Sequence, residues 1–171
     1  MDDTPFLPWT ARLIHADEDY ALGYCGRIFA VIWRNQTTVA GAQHLRSAYR
    51  DFATPGQKYG LVTIIEADAP LPESDARDTV AEFLNGISDS CVVSAVVFEG
   101  GGFRSAAVRA VVTGLTMLAR QAYPHRVFGT ADEAAPWYVE RAPDRWRLSS
   151  DGFLDAVGDI RSLISDDPQR R

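Results

Sequence analysis

Two stretches of the chain are apolar at almost every position, without the alternation of a half-exposed strand. They run from Gly60 to Glu66 and from Cys91 to Phe98. Continuous apolar runs of this length are typical of strands that are buried on both faces of a parallel sheet. We therefore predict two central strands here, each covered by helices.

Shorter strand-like runs lie towards both ends of the chain. Arg12 to Ile14 and Tyr24 to Trp33 are rich in β-branched and aromatic residues, and the acidic residues 17–19 separate them. This arrangement predicts an initial β-hairpin. Arg126 to Phe128 predicts a short last strand.

Between the strands, apolar residues recur at steps of three and four, which predicts amphipathic helices. Start signals stand at Thr37 or Thr38, at Ser74 and at Thr130, and the longest pattern runs from Phe103 to Tyr123. The resulting order, β-β-α-β-α-β-α-β-α, predicts the α/β class. We expect a mostly parallel central sheet with an initial hairpin and flanking helices.

The two ends of the chain differ from this alternating region. Residues 1–11 lack periodicity and are predicted to be an arm, whereas residues 12–142 form the domain. Residues 143–171 are predicted to be a C-terminal amphipathic extension. Its apolar stripe consists of Phe153, Leu154, Val157, Ile160, Leu163 and Ile164. The parent domain is the favoured cover for this stripe, and the alternatives are a second copy, giving a homodimer, or another protein.

The amino-acid composition argues against several classes of function. The 171 residues include 17 basic and 23 acidic ones, so the net charge is 17 − 23 = −6, which argues against a nucleic-acid partner. No apolar stretch reaches the ~20 residues of a membrane span. The acidic N terminus lacks the features of a secretory signal, and Cys25 and Cys91 have no Cys or His neighbours. We expect a cytoplasmic protein with two buried thiols.

The run after the second central strand is the strongest candidate binding site. It comprises Glu99, Gly100, Gly101, Gly102, Phe103, Arg104 and, further along the predicted helix, Arg109. The glycines permit positive φ, and N–H groups at a helix start can bind an anion at the carboxyl edge of a parallel sheet. In the alternative interpretation the glycines form only a tight turn and the arginines pair on the surface.

Catalytic motifs are not evident. His15, His44 and His125 lack the spacing of metal ligands, and we expect surface or boundary positions for them. Glu66 and Glu99 both end central strands, so they could meet as a pair of carboxylates for acid–base chemistry, although solvated strand ends explain them equally. We predict no enzyme activity, no cofactor and no metal.

The segment from Phe98 to Arg109 (FEGGGFRSAAVR), followed by a long helix and the strand Arg126 to Phe128, resembles uncharacterised bacterial members of the SpoIIAA-like, or STAS, family. The order of elements is similar too. The resemblance implies a small cytoplasmic domain without catalysis that docks on a protein partner. In anti-anti-sigma members it also implies switching by phosphorylation.

The switch motif of that family, an acidic residue followed by Ser or Thr and then Gly, is absent after the first central strand. The chain has EADAPLPES at residues 66–74 instead. Ser74 is the remaining candidate phosphoacceptor, although a helix-capping role also explains it.

These observations give one leading hypothesis and two alternatives. The first is a regulatory, protein-interaction module of the STAS type. The second is a sensor that binds a small anionic or amphiphilic ligand at the loop from Gly100 to Arg104. The third, an enzyme that uses Glu66 and Glu99, predicts a deep pocket at these carboxylates.

Overall fold

The structure is a computed structural model that describes residues 8–101, 106, 107, 109–111, 113, 114 and 122–165. The strands are β1 (Ala11–Ala16), β2 (Tyr20–Cys25), β3 (Ile28–Trp33), β4 (Tyr59–Ile65), β5 (Cys91–Phe98) and β6 (His125–Phe128). The helices are α1 (Val39–Phe52), α2 (Ser74–Gly86), α3 (the helical residues 106, 107, 109–111, 113 and 114), α4 (Ala131–Arg141) and α5 (Ser150–Ser165), with a 3₁₀ turn at Asp144–Trp146. Among the described residues, no helix is both long and apolar enough to cross a membrane.

One six-stranded sheet holds the strands in the order of the sequence. The first three strands pair antiparallel, and β3 to β6 pair parallel. The predicted α/β class is therefore confirmed. The predicted boundaries of β4, β5 and β6 differ from the observed ones by one residue at most.

The initial hairpin is a three-stranded meander, so the prediction of one strand from Tyr24 to Trp33 is wrong. A turn at Gly26 and Arg27 divides this run into β2 and β3. Gly26 has a φ of +55°, and a Cβ there would stand 2.7 Å from the Trp9 ring. Glycine satisfies both conditions because it has no Cβ.

The two faces of the sheet carry different helices. Helices α1, α2 and α3 cover one face, where their side chains pack on Leu22, Phe29 and Leu61. Helices α4 and α5 cover the other, against Ala30, Val62 and similar alternate positions. Right-handed crossovers that all advance in one direction place their helices on one face, which explains the position of α1 to α3. The central strands lack alternation because both of their faces are buried.

The apolar stripe of the C-terminal segment packs against its own chain. Phe153, Val157, Ile160 and Ile164 are buried in the same core cluster as the strands, and α5 lies along β1, β2 and β3. The cover by the parent domain is therefore observed. Leu154 and Leu163 of the stripe are only partly buried, and the homodimer alternative stays a prediction.

The predicted helix starts are confirmed at two of three positions. Thr38 and Thr130 are N-caps whose side chains accept hydrogen bonds from Gly41 N and Glu133 N. Ser74 is not the N-cap of α2: that position belongs to Glu73, which makes no side-chain capping bond. The predicted helix end at Tyr123 is also wrong, since Tyr123 is not helical. The predicted start at Phe103 lies outside the described residues.

A buried hydroxyl lies without a partner between α4 and the sheet. Tyr138 is fully buried and its Oη makes no hydrogen bond. The ring passes over β4 at Gly60, where an added Cβ would stand 1.9 Å from Oη. Glycine is thus required at position 60 by the close approach of this side chain. The hydroxyl itself opposes folding because it loses water without gaining a partner.

We expect Tyr138→Phe to raise the free energy of unfolding by about 1 kcal/mol, since it removes the unpaired hydroxyl and keeps the ring.

Gly60→Ala should lower the free energy of unfolding by at least about 2 kcal/mol, because the added Cβ clashes with the Tyr138 side chain. Urea denaturation measures both. A Tyr138→Phe variant less stable than the parent by more than about 1 kcal/mol would contradict the unpaired state of the hydroxyl.

Candidate functional site

Three charged residues follow three adjacent parallel strands at the carboxyl edge of the sheet. Trp33, Ile65 and Phe98 are in register across β3, β4 and β5. The ladder continues for one residue, because Glu66 N donates to Trp33 O at 2.9 Å and Glu99 N donates to Ile65 O at 3.0 Å. Arg34, Glu66 and Glu99 therefore begin the loops at the edge where α/β folds place ligands.

Arginines neutralise both carboxylates at this edge. Arg34 Nε lies 3.5 Å from Glu66 Oε1. Arg161 of α5 binds Glu99 through both guanidinium Nη atoms, with 2.9 Å between Nη2 and Oε2. The Glu99 hydrogen bond raises the pKa of Arg161, with a further contribution from the Glu66 charge, against the opposing effect of burial. Both glutamates thus lie near one guanidinium, in a network of two acids and two bases.

Sequence reasoning identified both glutamates and missed both arginines. Arg161 is 62 residues from Glu99 along the chain, so no local spacing connects them. A signal existed nonetheless, because Arg161 is the one basic residue between Ser150 and Ser165. A lone cation on a helix that packs on an α/β sheet is a reasonable partner for a carboxylate at the strand ends.

Asp17 organises the turn between β1 and β2 beside this network. Its Oδ1 accepts from Asp19 N and Tyr20 N, both at 2.9 Å, and its Oδ2 accepts from His15 Nε2 at 2.8 Å. Burial raises the pKa of Asp17, but the hydrogen bonds from Tyr20, His15 and Asp19 together outweigh it and hold the pKa below its ordinary value. Arg34 Nη1 donates to Asp17 O at 2.9 Å and so links this turn to Glu66.

Two histidines meet at the same end of the sheet. The rings of His15 and His44 lie 4.9 Å apart, edge to face, and Tyr20 Oη is 2.7 Å from His44 Nδ1. Both histidines are partly buried, at the boundary positions that the sequence predicts. In the part of the chain that the structure describes, no three His, Cys, Asp or Glu side chains are placed to hold a metal ion.

The glycine run is described only in part. Positive φ is not observed at Gly100 or Gly101, so the conformational reason given for them from the sequence is wrong. Gly100 is required by space instead, since a Cβ there would stand 2.4 Å from the Phe98 ring. Arg109 is helical and exposed. The remaining predicted site residues, Gly102, Phe103 and Arg104, lie outside the described residues.

A small pocket lies between the sheet and helices α2 and α3. It has a volume of about 60 Å³, and its walls include Trp33, Leu84 and Val111. Thr63 of β4 and His125 of β6 are its polar lining residues on the sheet. Sequence reasoning missed this pocket because no motif marks it.

His125, which lines this pocket, has one buried ring nitrogen without a partner. Its Nδ1 lies 2.9 Å from Ser94 Oγ, whereas its Nε2 is buried and has no hydrogen-bond partner. Burial lowers the pKa of His125 to about 4, so the ring is neutral at pH 7. The sequence-based expectation of a boundary position is met, but the unpaired nitrogen is an additional feature.

Comparison of the chain with protein-family models, with curated proteins and with solved structures gives no match.

The ion pair between Glu99 and Arg161 should contribute measurably to stability, because bidentate geometry distinguishes it from ordinary surface pairs. We expect Glu99→Gln to lower the free energy of unfolding by about 1 kcal/mol at low salt, with a smaller loss at high salt. The matched control is Asp51→Asn, which removes the exposed pair with Arg50 and should change stability by less than about 0.3 kcal/mol. Equal effects in urea denaturation would contradict the role assigned to the bidentate pair.

Acid should destabilise the protein through His125. Its pKa is about 4 in the folded chain and 6.5 ordinarily, so only the unfolded state takes up the proton between these values. This contribution to stability is present above pH 6.5 and is lost as the pH falls to 4, up to about 3 kcal/mol at roughly 1.4 kcal/mol per pKa unit.

Urea denaturation from pH 7 to pH 4 measures this loss. His125→Phe should flatten the pH dependence, whereas the control His44→Phe should retain it. An unchanged slope in the His125 variant would contradict the assignment.

Proposed function

We propose that the chain is a regulatory, protein-interaction module of the STAS type, acting in the cytoplasm and without catalysis of its own. The single observation that carries this proposal is the pairing of glutamates with arginines at the carboxyl edge of the sheet. Glu66 and Glu99, the pair that an acid–base mechanism would use, are each bound by an arginine. Glu99 binds the Arg161 guanidinium through both oxygens, and Glu66 Oε1 lies 3.5 Å from Arg34 Nε. Such a surface of paired charges suits recognition of a partner.

The arrangement of elements supports the STAS resemblance at a coarse level. Strands and helices alternate after β3, and the last strand is short and leads into α4. The three-stranded meander extends beyond the hairpin that the resemblance implies. The family assignment therefore depends on the alternating part of the chain and on the segment from Phe98 to Arg109.

The proposal includes Ser74 as a candidate phosphoacceptor. It is exposed at the first residue of α2 and makes no capping bond. The helix N terminus would favour a phosphate there, and the neighbouring Glu73 and Asp75 would disfavour it.

We place the docking surface for the partner at the carboxyl edge, in the loops that follow β4 and β5. Asp68 lies in the first of these loops, is exposed and is not engaged in the ion pairs of Glu66 or Glu99. Reversal of its charge should weaken a partner that recognises this edge and leave the fold intact. Asp89 is a matched exposed acid that precedes β5, at the opposite edge of the sheet.

The test is capture of partners by the full-length protein from lysate of its own cells, with quantitative mass spectrometry. A stoichiometric protein should appear with the parent and with Asp89→Lys, and its yield should fall at least tenfold with Asp68→Lys. Equal capture by both variants would contradict the docking surface. A turnover activity of the purified protein that is lost in Glu99→Gln would contradict the proposal as a whole.

The sensor hypothesis keeps support from a different place in the fold. Three residues of the predicted loop site, Gly102 to Arg104, lie outside the described residues, so that site stays a prediction. The pocket that Thr63 and His125 line, in contrast, has described residues in its walls.

A further inference from the structure

A groove runs between α1 and α2 at the amino edge of the sheet, opposite to the carboxyl edge. Its volume is about 560 Å³, which is within the usual range of small-molecule sites. The lining comes from α1, from the end of α2 and from the loops that precede β4 and β5, and all of it lies within the described residues. Tyr49, Phe83 and Ile87 form its buried apolar floor.

The two helices lie side by side and run in the same direction, because each connects two neighbouring strands of the parallel sheet. A step of four residues therefore advances both helices by about one turn. Arg46 of α1 reaches Glu82 of α2, with 3.8 Å between Nη1 and Oε2. One turn further, the same spacing places Arg50 opposite Gly86.

The second of these cross-helix positions lacks an acid. Glycine has no side chain to meet Arg50, and a Cβ added at Gly86 would have no atom within 4 Å. The partner that Arg50 does have is its neighbour Asp51, at 3.4 Å, and the two side chains are 77% and 74% exposed. Such an exposed pair contributes little. An external carboxylate at this open place would serve Arg50 as Glu82 serves Arg46.

Charge on the other side of the groove restricts the ligand further. Asp89 follows α2, lines the groove and is exposed, and among the described residues its carboxylate forms no ion pair. Lys58 Nζ donates to the Asp89 carbonyl oxygen instead, at 2.5 Å. The C-terminal ends of α1 and α2 border the groove and favour a positive charge. A ligand that carries an ammonium group as well as a carboxylate therefore matches both sides.

Span and hydrogen bonding favour a dipeptide over a free amino acid. Packed helices lie about 8–10 Å apart between their axes. Two extended residues span about 7 Å, and one residue spans only about 3.5 Å. Gln57 also lines the groove, and its Oε1 accepts from Arg27 Nη1 at 2.9 Å. The N–H groups of the same side-chain amide can therefore donate to a peptide carbonyl.

We propose that this groove binds a dipeptide with free termini. The carboxylate of the dipeptide binds Arg50 in the open place at Gly86. Its ammonium group binds Asp89, and its peptide carbonyl accepts a hydrogen bond from Gln57. This inference is independent of the partner-docking function, because the groove lies at the amino edge of the sheet and the docking surface at the carboxyl edge.

The probe is L-alanyl-L-alanine, added to the full-length protein at pH 7 and low salt. ¹H–¹⁵N spectra follow the Gly86 backbone amide and the Arg50 Nε–H group. Both signals should shift saturably, whereas the Nε–H signal of Arg161, which Glu99 already binds, should not. Acetylation of the amino end or amidation of the carboxyl end removes one charge, and each should weaken binding about tenfold. Free L-alanine should bind more weakly than the dipeptide.

Charge variants assign the two ends of the ligand. Asp89→Asn should weaken binding of the free dipeptide about tenfold and leave the affinity for the acetylated one unchanged. Arg50→Gln should weaken binding of the free dipeptide about tenfold and leave the affinity for the amidated one unchanged. Arg145→Gln is the matched control, an exposed arginine outside the groove, and should leave all affinities unchanged.

The placement of Arg50 opposite Gly86 can be tested without a ligand. Gly86→Glu supplies the missing carboxylate from the chain, so this variant should have a higher urea midpoint than the neutral Gly86→Gln. The advantage should disappear when Arg50→Gln is added. Gly86→Glu should also abolish dipeptide binding, whereas Gly86→Ala, whose methyl group has open space, should retain it.

Several results would overturn the inference: shifts that rise linearly without saturation, equal affinity for the acetylated or amidated dipeptide or for L-alanine, or unchanged binding in Gly86→Glu. The groove and the docking surface are separable by two variants. Asp68→Lys should lose partner capture and keep dipeptide binding, whereas Asp89→Lys should keep partner capture and lose dipeptide binding.

Discussion

Cover of the second face of the sheet by α4 and α5 is the constraint on which the rest of the structure depends. The sheet's three parallel pairings leave apolar side chains on both faces, and crossovers α1 to α3 can cover only one. Burial of Phe153, Val157, Ile160 and Ile164, at roughly 1.5–3 kcal/mol each, contributes on the order of 6–12 kcal/mol as an upper estimate. Since that is comparable to the whole stability of a domain, the C-terminal segment belongs to the folded unit.

The same packing produces the charge network at the carboxyl edge. Ile160 lies over Gly23 of β2, where an added Cβ would stand 3.1 Å from its side chain, and this contact fixes the position of α5 on the sheet. Arg161, the next residue, then reaches Glu99 beyond the end of β5. An apolar contact thus positions an ionic one. The ion pair in turn links Glu99, directly after β5, to the helix that covers β1, β2 and β3.

Sequence patterns predicted the parts of this fold whose signals are local. Cys91 to Phe98 was identifiable because burial on both faces leaves an uninterrupted apolar run. The turn at Gly26 was not, because two residues without an acidic or proline marker divide an otherwise apolar stretch. The placement of Glu66 and Glu99 at one edge of the sheet followed from parallel register, whereas their arginine partners depend on the packing of α5 and on the β3 loop. The pocket depends on the spacing of α2 and α3 over the sheet, which no single segment encodes.

The two faces of the sheet differ in what they leave accessible. On the α4 and α5 face, large side chains such as Tyr138 and Phe153 stack closely, with ring centroids 4.7 Å apart, and even a tyrosine hydroxyl is enclosed without a partner. On the α1 to α3 face, Thr63 stays partly exposed beneath the helices. Close packing stabilises the face that α4 and α5 cover. Recognition by the described part of the chain is therefore expected at the carboxyl edge and on the face that α1 to α3 cover, where Thr63 remains within reach of solvent.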